Sequence, residues 1–588
     1  MNIYDEDLDK NAANFTALSP ISMMRRAASI YPDRTAVIYG QRRVSWGDVY
    51  TRCASVAAAL TNRGIGSGDT VAVLSANLPE MFEAHFAVPM SGAVLNAINM
   101  RLDAATVAFI LEHGEAKLLM VDKEFGPLAE EALALMSAPP PTIHIDDTSC
   151  PDGKLIGEES YEDLVRQGEN SSSNEISADA IDFLPASEWD AIALNYTSGT
   201  TGNPKGVMVT HDNIVANCQS IVDHEPISVT WLPQYHDMGL IGYYLYPALT
   251  SGTSYGFSPL DFMQRPSLWL ETISRYSATS SSAPNFAYEY CLRQGKIPEK
   301  MLRRFDLSSL IFLMTAAEPV DSTIFKKFLH RFEPYGLKAT SFFSAYGLAE
   351  FTLAVSSRGR KIRSFCTDSL KKNEVAPVDP DQRSVQSTDL VSCGRLLGDT
   401  DLKIVTPGPP AKEAGKAEVG EIWLNGESKC RGYWNRPELS KKIFEARLDG
   451  SVGTWLQTGD LGFVYEHEIY VCGRTKDMVI IRGLNYYPQD IEAIVAENAS
   501  IRSDCVAAFA QQRQGRESLI VVAGLKNRKT IPDARSLNER LVDQLGISAD
   551  TFVFVPARAI AKTSSGKIMR NQNKNHLLHD ELEIIHRV

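Results

Sequence analysis

Short apolar runs alternate with longer amphipathic stretches along most of the chain. The run 70–77 (TVAVLSAN) precedes the stretch 78–90 (LPEMFEAHFAVPM), and the run 309–317 (SLIFLMTAA) precedes 322–332 (STIFKKFLHRF) and then 340–347 (TSFFSAYG). An apolar run followed by an amphipathic stretch is typical of a strand and a helix packed on it. The pattern predicts an α/β fold with a mainly parallel, helix-covered sheet that continues through the middle of the chain.

The pattern changes after about residue 474, where short strands and single helices are predicted. The segments are DMVIIRG, PQDIEAIVAEN, CVAAFAQQ, SLIVVAGL and FVFVPAR. We therefore expect a large N-terminal α/β domain of several subdomains over residues 1–473 and a small α+β domain over 474–588. Within the large domain, the polar, Ser-rich segment 168–180 is interpreted as a surface linker.

Length, charge and cysteine usage narrow the class of protein. A chain of 588 residues is too long for one compact core, and a net charge of -13 disfavours binding to nucleic acid or anionic lipid. No apolar run reaches the roughly 18 residues of a membrane-spanning helix, and the start of the chain lacks the features of a secretory signal, so a cytoplasmic location is expected. The nine cysteines are scattered singly, which favours neither disulfides nor a zinc site.

The segment 197–206 (TSGTTGNPKG) predicts a phosphate-binding loop. It follows the predicted apolar strand 191–196 (AIALNY) and precedes the predicted helix 211–222 (HDNIVANCQSIV). Its glycines allow backbone N–H groups to approach an anion, and its hydroxyls and lysine add donors and one positive charge. The loop lacks the GxxxxGK[ST] pattern of P-loop NTPases. The alternative is a flexible polar turn.

This loop resembles the signature of the adenylate-forming superfamily, which comprises acyl-CoA synthetases, luciferases and peptide-synthetase adenylation domains. Further segments match that family in its order: 317–319 (AEP), 346–350 (YGLAE), 458–460 (TGD), 473–477 (GRTKD) and 563–567 (TSSGK). The resemblance implies ATP and Mg²⁺ as cofactors. The residues that it implies for ATP or AMP are Thr197, Ser198, Gly199, Thr200, Thr201, Gly202, Lys205, Ala317, Glu318, Tyr346, Gly347, Asp460 and Arg474.

The same resemblance assigns the chemical roles. Lys567 is implied as the mobile catalytic lysine, Lys476 as the interdomain hinge, and Glu350 with Thr197 as the residues at magnesium. The chemistry is consistent with these residue types, because a carboxylate that attacks the ATP α-phosphate brings two anions together. An ammonium group and a metal ion can offset their repulsion.

Within the superfamily, the middle of the chain is most similar to fatty acyl-AMP ligases, which load fatty acids onto acyl carrier proteins. The similar segments are 231–240, 258–266, 283–288 and 483–492. The resemblance implies a fatty acid substrate, a carrier-protein partner from a polyketide or lipopeptide pathway, and His236 as a catalytic residue at the substrate entrance. The predicted walls of the acyl pocket are Met238, Gly239, Leu240 and Gly242.

Spacing is a second mark of these ligases. Glu350 and Gly394 are 44 positions apart (394 minus 350), and the extra residues, at about 356–392, resemble the insertion that restrains the small domain in this group. The segments 92–102 and 108–117 instead resemble medium-chain acyl-CoA ligases. Free CoA therefore remains an alternative acceptor to the carrier protein. A basic run, 358–363 (RGRKIR), is a candidate surface for docking an acidic carrier, or else a solvated loop.

Two other classes are weighed against this interpretation. The segment 252–256 (GTSYG) satisfies GxSxG, so Ser254 could be the nucleophile of an α/β-hydrolase, or a residue of an ordinary strand or turn. A binding protein that kept the fold and lost the chemistry is the other alternative. The presence of Lys567, Glu350, Asp460 and Arg474 argues against it.

Overall fold

The computed structural model describes residues 11, 14–170, 184–197, 204–222, 224–379, 386–406, 408, 410–481, 484–513, 516–563 and 566–588. The strands up to the middle of the chain are β1 (Thr35–Tyr39), β2 (Arg42–Ser45), β3 (Thr70–Leu74), β4 (Val94–Ala97), β5 (Ala116–Asp122), β6 (Thr142–Ile145), β7 (Glu159–Ser160), β8 (Ala191–Thr197), β9 (Lys205–Thr210), β10 (Ile227–Thr230), β11 (Thr253–Gly256), β12 (Ser280–Ala283), β13 (Phe312–Thr315), β14 (Phe342–Gly347) and β15 (Ala354–Gly359).

The later strands are β16 (Ile362–Cys366), β17 (Ser387–Val391), β18 (Arg395–Leu396), β19 (Asp401–Thr406), β20 (Lys412–Glu413), β21 (Gly420–Asn425), β22 (Gly432–Tyr433), β23 (Leu456–Tyr465), β24 (Glu468–Arg474), β25 (Val479–Ile481), β26 (Leu484–Tyr486), β27 (Ile501–Arg513), β28 (Arg516–Leu525), β29 (Thr551–Pro556) and β30 (His586–Arg587).

The α-helices are α1 (Pro20–Ile30), α2 (Trp46–Asn62), α3 (Pro79–Met90), α4 (Ala104–His113), α5 (Gly126–Ala134), α6 (Tyr161–Glu169), α7 (His211–Ile221), α8 (Asp237–Leu240), α9 (Tyr246–Thr250), α10 (Pro259–Gln264), α11 (Ser267–Tyr276), α12 (Asn285–Leu292), α13 (Glu299–Leu302), α14 (Ser322–Phe332), α15 (Thr367–Leu370), α16 (Pro437–Phe444), α17 (Pro488–Ala496), α18 (Ala534–Leu545) and α19 (Arg570–Leu578).

Two large mixed sheets form the body of the molecule. Across the described residues, one has the order β18-β15-β14-β13-β12-β10-β11-β1-β2 and the other β22-β9-β8-β4-β3-β5-β6-β7. Their central strands are parallel, as the pattern of apolar runs predicts. Antiparallel strands occupy both ends of the first sheet and the β22-β9 end of the second, whose other end, at β7, is parallel. One hydrophobic core joins residues from the two sheets. The predicted α/β class is confirmed.

A third sheet of antiparallel strands, β20-β19-β21-β23-β24, follows in the chain and ends at Arg474. The small domain then has its own sheet, β27-β28-β29-β30, with a hydrophobic core on each face. The α+β pattern predicted after residue 474 is therefore present. The boundary itself, at 473 and 474, stays a prediction, although β24 ends at Arg474 and the small domain's core begins at Val479.

Local signals explain where several helices begin. Ser45 caps α2, where its side chain accepts from the N–H of Asp48, whose carboxylate accepts in return from the N–H of Ser45. Thr210 and Asn213 make the same reciprocal cap at α7. The polar segment expected as a linker from residue 168 begins later, because α6 continues to Glu169; residues 171–183 lie outside the described part of the chain.

The strand–loop–helix context predicted for the phosphate loop is wrong. Strand β9 lies between the loop and α7, and it pairs antiparallel with β8 so that Lys205 is opposite Thr197. The loop therefore joins two strands of a hairpin. The sequence 206–210 (GVMVT) is rich in β-branched residues, which favour a strand over the first turn of a helix. No helix N-terminus follows the loop directly.

Candidate active site

The candidate site lies at the carboxyl ends of the parallel strands of the larger sheet. Trp231 follows β10, Pro259 follows β11, Pro284 follows β12 and Ala317 follows β13, and these residues line one pocket. Tyr346 is near the end of the next strand, β14. Parallel strands bring their carboxyl ends to one edge, where open α/β sheets bind their ligands. Residues spread over more than 100 positions are gathered in this way.

The pocket is mainly apolar, with a polar mouth. Its lining residues are Arg101, Trp231, Leu232, Pro233, Tyr235, His236, Met238, Pro259, Met263, Pro284, Phe286 and Ala317. Of the four predicted wall residues, Met238 lines this pocket. Gly239 packs against the backbone of Leu232 and Pro233, Leu240 is buried in the core, and a side chain at Gly242 would approach Leu353. Sequence reasoning did not predict the aromatic walls, which come from the segment after β10 (Trp231 and Tyr235) and from α12 (Phe286).

Tyr346, Asp460 and Arg474 form a hydrogen-bonded chain. The Tyr346 hydroxyl donates to Oδ2 of Asp460 at 2.7 Å, and Nε of Arg474 donates to Oδ1 at 2.8 Å. Asp460 is 5% exposed, whereas half of the Arg474 side chain is exposed. The neighbouring Asp460 charge raises the pKa of Arg474, so the guanidinium stays charged. Three residues assigned to the nucleotide by resemblance thus meet in one place.

Lys567 reaches the same site from the small domain. Burial lowers the pKa of Lys567 and Arg474 lowers it further, while Glu318, Asp237 and Asp460 act in the opposite direction. These interactions place the ammonium among carboxylates from three segments of the large domain. The Lys567 N–H donates to Oγ1 of Thr563 at 3.0 Å, and Gly566 packs against the ring of Phe286.

Glu318 acts electrostatically on this ammonium, and Ala317 precedes Glu318 in the chain. Burial raises the pKa of Glu318, and its Oε1 is buried with no hydrogen-bond partner among the described residues. Ala317 has a φ of +80°, a left-handed conformation that is uncommon for a residue other than glycine. Such local strain is concentrated at ligand-binding segments, and an unpaired buried acceptor is suited to a ligand donor.

Glu350 is held by a residue that the sequence did not identify. The Tyr433 hydroxyl donates to Oε1 of Glu350 at 2.8 Å, across 83 positions of the chain. The Lys205 ammonium lies 5.0 Å from the centre of the Tyr433 ring. Burial lowers the pKa of Lys205 and the charge of Lys476 lowers it further, while Glu350 opposes this shift. No periodic signal in the sequence links Tyr433 to Glu350.

Some predicted loop residues cannot be placed. Ser198, Gly199, Thr200, Thr201 and Gly202 lie outside the described residues. Thr197 and Lys205 flank them as opposite members of the β8–β9 pair. Gly347, at the end of β14, has no room for a side chain, because a Cβ there would meet the Leu353 carbonyl oxygen at 1.9 Å.

His236 lines the pocket, and its ring contacts the carboxylate of the next residue. Its Nδ1 lies 2.6 Å from Oδ1 of Asp237, and a third of its side chain is exposed. Although burial opposes it, the contact with His236 lowers the pKa of Asp237, with the Met238 N–H and Lys567 adding to this effect. Asp237 therefore carries a negative charge beside the pocket and Lys567.

The alternative nucleophile and the basic run look different in the structure. Ser254 is fully buried in β11, and its hydroxyl donates to the Tyr243 carbonyl oxygen at 2.6 Å, so it cannot meet a substrate. Lys361 and Arg363 of the basic run are paired with Glu466 at 3.3 and 2.9 Å. The run is therefore partly neutralised rather than a patch of four free charges.

The predicted insertion contacts the small domain. Strands β16 and β17 pair with each other, and α15 lies between them in sequence. The buried Lys371 donates from Nζ to the Leu545 carbonyl oxygen at 2.9 Å, and its own carbonyl oxygen accepts from Asn485 at 3.0 Å. Gln386 donates to the carbonyl oxygens of Asp543 and Gln544. These bonds tie the insertion to two parts of the small domain.

Other expectations from the sequence concern metals, thiols and membranes. All nine cysteines are unpaired, and most are buried. The described residues contain no cluster of three or more His, Cys, Asp or Glu side chains arranged to bind a metal. None of the helices in the described part of the chain combines the length and apolarity needed to cross a membrane.

Comparison with known proteins gives a consistent set of similarities. Residues 24–434 match the family of AMP-binding enzymes. The chain is 39% identical over 406 residues to the medium-chain-fatty-acid–[acyl-carrier-protein] ligase JamA of Moorena producens, covering 66% of this chain and 68% of that one. It is 32% identical over 539 residues to a peroxisomal butyrate–CoA ligase of Arabidopsis thaliana, covering 87% and 86%. The crystal structure of a fatty acyl-adenylate ligase from L. pneumophila, in complex with acyl adenylate and pyrophosphate, superposes with a TM-score of 0.69 at 28% identity, over 97% of each chain.

Proposed function

Because this chain belongs to the AMP-binding enzyme family and, within it, to the fatty acyl-AMP ligases, we propose that it activates a fatty acid and loads it onto a carrier protein. In the first half-reaction the fatty carboxylate attacks the α-phosphate of ATP, and pyrophosphate leaves. In the second, the phosphopantetheine thiol of an acyl carrier protein takes the acyl group, and AMP leaves. The carrying observation is the position of the Lys567 ammonium among Asp237, Glu318, Asp460 and Arg474.

Lys567 supplies the positive charge that the adenylation step needs. The attacking carboxylate and the phosphate are both anionic, so their approach requires a cation near the developing pentavalent phosphorus. Asp237, Glu318 and Asp460 act electrostatically on the ammonium and favour its charged form. Tyr346, held through its hydroxyl by Asp460, presents its ring to the adenine, and Asp460 with Arg474 binds the ribose.

The acyl chain occupies the apolar pocket. The pocket walls include Trp231, Met238, Met263 and Phe286, whose apolar side chains suit an alkyl chain. Ala317 also lines the pocket and begins the segment 317–319, which is proposed to contact the nucleotide. His236, which also lines the pocket, would lie near the carboxylate end of the bound fatty acid. The contact of its Nδ1 with Asp237 fixes the orientation of the ring, which makes it a positioning group for the substrate.

The residues around Glu350 fit a magnesium ion. Mg²⁺ in nucleotide sites is commonly bound by one or two carboxylates together with substrate phosphates and water. Glu350 offers one carboxylate, oriented by Tyr433 and near Lys205, and Thr197 at the end of β8 is close in the hairpin to Lys205. When bound, the ion would neutralise phosphate charge and so lower the barrier to attack.

The insertion supports a carrier protein as the acceptor. A single chain that adenylates and then admits a thiol must move its small domain between the two steps, and the bonds from Lys371 and Gln386 restrain that movement. The resemblance to fatty acyl-AMP ligases implies that this restraint hinders the use of free CoA as the acceptor. Similarity to JamA supports the carrier, and similarity to the butyrate–CoA ligase keeps CoA as the competing acceptor.

Lys476 is the proposed hinge. It follows the last strand of the third sheet and precedes the first strand of the small domain, and its charge acts on Lys205 in this arrangement. Rotation here would withdraw Lys567 from the cleft and open it to the thiol. A Lys476→Pro variant should keep adenylation and lose transfer, because a fixed φ restricts the rotation. Equal retention of both half-reactions would refute the hinge.

The central test separates the two half-reactions. Purified protein is incubated with ATP, Mg²⁺ and saturated fatty acids of increasing length, and exchange of labelled pyrophosphate into ATP is measured. We expect exchange that depends on the fatty acid. Protein that has formed the adenylate is then offered either CoA or a phosphopantetheinylated carrier protein. Lack of exchange with every chain length would contradict the function, and efficient CoA thioester formation would select the alternative acceptor.

A further inference from the structure

A carboxylate outside the catalytic cleft joins the two domains. Asp504 is in β27 of the small domain, and its Oδ1 accepts from Nε of Arg502 at 2.9 Å and from Nη2 of Arg293 at 3.4 Å. Its Oδ2 accepts from Nζ of Lys562 at 2.8 Å. Arg293 belongs to the large domain, directly after α12, whereas Lys562 belongs to the segment that carries Lys567. One side chain thus connects three parts of the molecule.

A second bond crosses the same boundary. The Ser503 hydroxyl donates to Oε1 of Glu289 at 2.8 Å, and Glu289 also accepts from Arg293, one turn later, at 3.3 Å. Glu289 and Arg293 lie at the end of α12 and present an acid and a base to the adjacent pair Ser503 and Asp504. An ion pair and a hydrogen bond thus cross the boundary side by side, so the contact is specific for one placement of the small domain.

The same helix contacts the catalytic hairpin at its other end. Lys562 pairs with Ile568 in an antiparallel bridge, and Thr563 donates from its N–H to the Lys567 carbonyl oxygen at 2.8 Å, so the two sides of a hairpin, 562–563 and 567–568, are bonded to each other. Gly566 packs against Phe286, in the first turn of α12, where an added Cβ would be 3.1 Å from the ring. Helix α12 therefore holds the base of the hairpin through Asp504 and its tip through Phe286.

From this arrangement we propose that Asp504 is a positioning residue for adenylation. It ties Arg293 of the large domain to Lys562 at the base of the hairpin and thereby holds Lys567 in the cleft. This inference rests on the proposed function. Because Arg293 and Glu289 are on one domain and Ser503 and Asp504 on the other, both contacts must break before the small domain can rotate for acyl transfer. Their loss should slow the first half-reaction and leave the second intact.

The charges favour a network rather than a weak surface pair. The side chains of Arg293, Asp504 and Lys562 are 31%, 23% and 22% exposed, so solvent screens them only in part. Burial opposes ionisation, but the hydrogen bond from Lys562 and the charges around it hold the pKa of Asp504 far below its ordinary value. The carboxylate stays charged at working pH. Salt, not pH, is therefore the variable that weakens the contact.

The test is Arg293→Gln, which removes the interdomain ion pair and leaves the partners of Asp504 within the small domain. We expect fatty-acid-dependent pyrophosphate exchange to fall by about five- to tenfold, mostly in kcat, as for loss of a partly buried charge contact. Transfer from chemically supplied acyl-AMP to the thiol acceptor should be unchanged or faster. Arg535→Gln, which removes the exposed pair of Arg535 with Glu539 at 3.3 Å, is the matched control and should match the wild type.

Different failures have different meanings. Equal losses in both half-reactions, or unchanged exchange, would overturn the positioning role. If the wild type shows no exchange at all, the proposed function fails and this inference fails with it. Should Arg293→Gln fold poorly by thermal unfolding, Ser503→Ala removes the second contact with less disturbance. It should lower exchange without lowering transfer, and its exchange should still fall with salt, because the Arg293–Asp504 ion pair is retained.

Discussion

Arg474 donates from Nε to Oδ1 of Asp460 at 2.8 Å because antiparallel strands β23 and β24 place the two residues directly opposite each other. They are 14 positions apart in the chain. One carboxylate oxygen of Asp460 therefore accepts a hydrogen bond from Arg474, and the other accepts one from Tyr346. The register of one strand pair thus aligns the carboxylate proposed to bind ribose with the aromatic ring proposed to contact adenine.

Asp460→Asn should weaken ATP binding more than it slows chemistry. The amide has no charge to pair with Arg474, and contacts to ribose are made equally in the ground and transition states. We expect the KM for ATP to rise about tenfold with a smaller change in kcat, measured by pyrophosphate exchange. Asp449→Asn, at an exposed position of the same domain, is the control. An unaltered KM would remove Asp460 from the nucleotide site.

Lys567→Ala should lower adenylation by about 100-fold or more, judging from the loss of a single donor that stabilises transition-state charge. Transfer from supplied acyl-AMP should fall much less, since in the proposed domain rotation the lysine leaves the cleft for that step. Lys529→Ala, on the exposed surface of the small domain, should have no effect. Exchange by Lys567→Ala at the wild-type rate would contradict the catalytic assignment.

The alkaline limb of the pH profile should also report Lys567. Burial and the Arg474 charge lower the pKa of this lysine, so the protonated form that the reaction needs is lost at a lower pH than for free lysine. Adenylation should therefore decline as pH rises through that lowered pKa. In Lys567→Arg, whose guanidinium stays protonated, the residual activity should persist to higher pH. The measurement is pyrophosphate exchange from pH 7 to 10. Identical alkaline limbs for the wild type and Lys567→Arg would contradict the assignment of this limb to Lys567.

Tyr433→Phe should impair the proposed magnesium site. Removal of the hydroxyl leaves Glu350 without the donor that orients its Oε1. A hydrogen bond to a charged group contributes about 1.5–3 kcal/mol, so adenylation should fall about tenfold, with a higher Mg²⁺ concentration needed for half-maximal rate. Tyr465→Phe in β23 of the same domain should leave the Mg²⁺ dependence as in the wild type. An unshifted Mg²⁺ curve in Tyr433→Phe would argue against this orientation.

Lys371→Met should relax the insertion. It removes the bond from Nζ to the Leu545 carbonyl oxygen while keeping an apolar stem of similar length. If the insertion limits domain rotation, CoA thioester formation should rise several-fold relative to carrier loading, with adenylation unchanged. The neighbouring Lys372 is exposed, and Lys372→Met is the matched control. A constant CoA-to-carrier ratio in Lys371→Met would show that this bond does not select the acceptor.

Asp490→Asn should stabilise the protein increasingly as pH rises. Burial raises the pKa of Asp490 to about 7, and Glu492 adds to the rise. In the unfolded chain the pKa is about 3.9, so the folded state binds this proton more tightly and stability falls between about pH 4 and 7. The gain in urea midpoint from Asp490→Asn should therefore be larger at pH 8 than at pH 5. Asp580 is exposed, so the change in urea midpoint caused by Asp580→Asn should be the same at pH 5 and pH 8.

Patterns of neighbouring residues were enough to place several of the strands and helices. The apolar runs at β3, β13 and β14 and the amphipathic stretches at α3 and α14 lie where the alternation predicts them. Periods of two and 3.6 residues are local properties, so a single segment shows them. Short motifs likewise identified Tyr346, Asp460, Arg474 and Lys567, which the fold then brings into one cleft.

Contacts between distant segments were decided only by the folded chain. Strand β9 turned the expected loop–helix junction into a hairpin, since its pairing with β8 outweighs the local expectation. Tyr433 reaches Glu350 across 83 positions, and Asp504 reaches Arg293 across 211. No local period encodes such pairs, because they depend on the register of strands and the packing of domains. The individual chemical groups can be named from the linear chain, but their partners are fixed by its three-dimensional path.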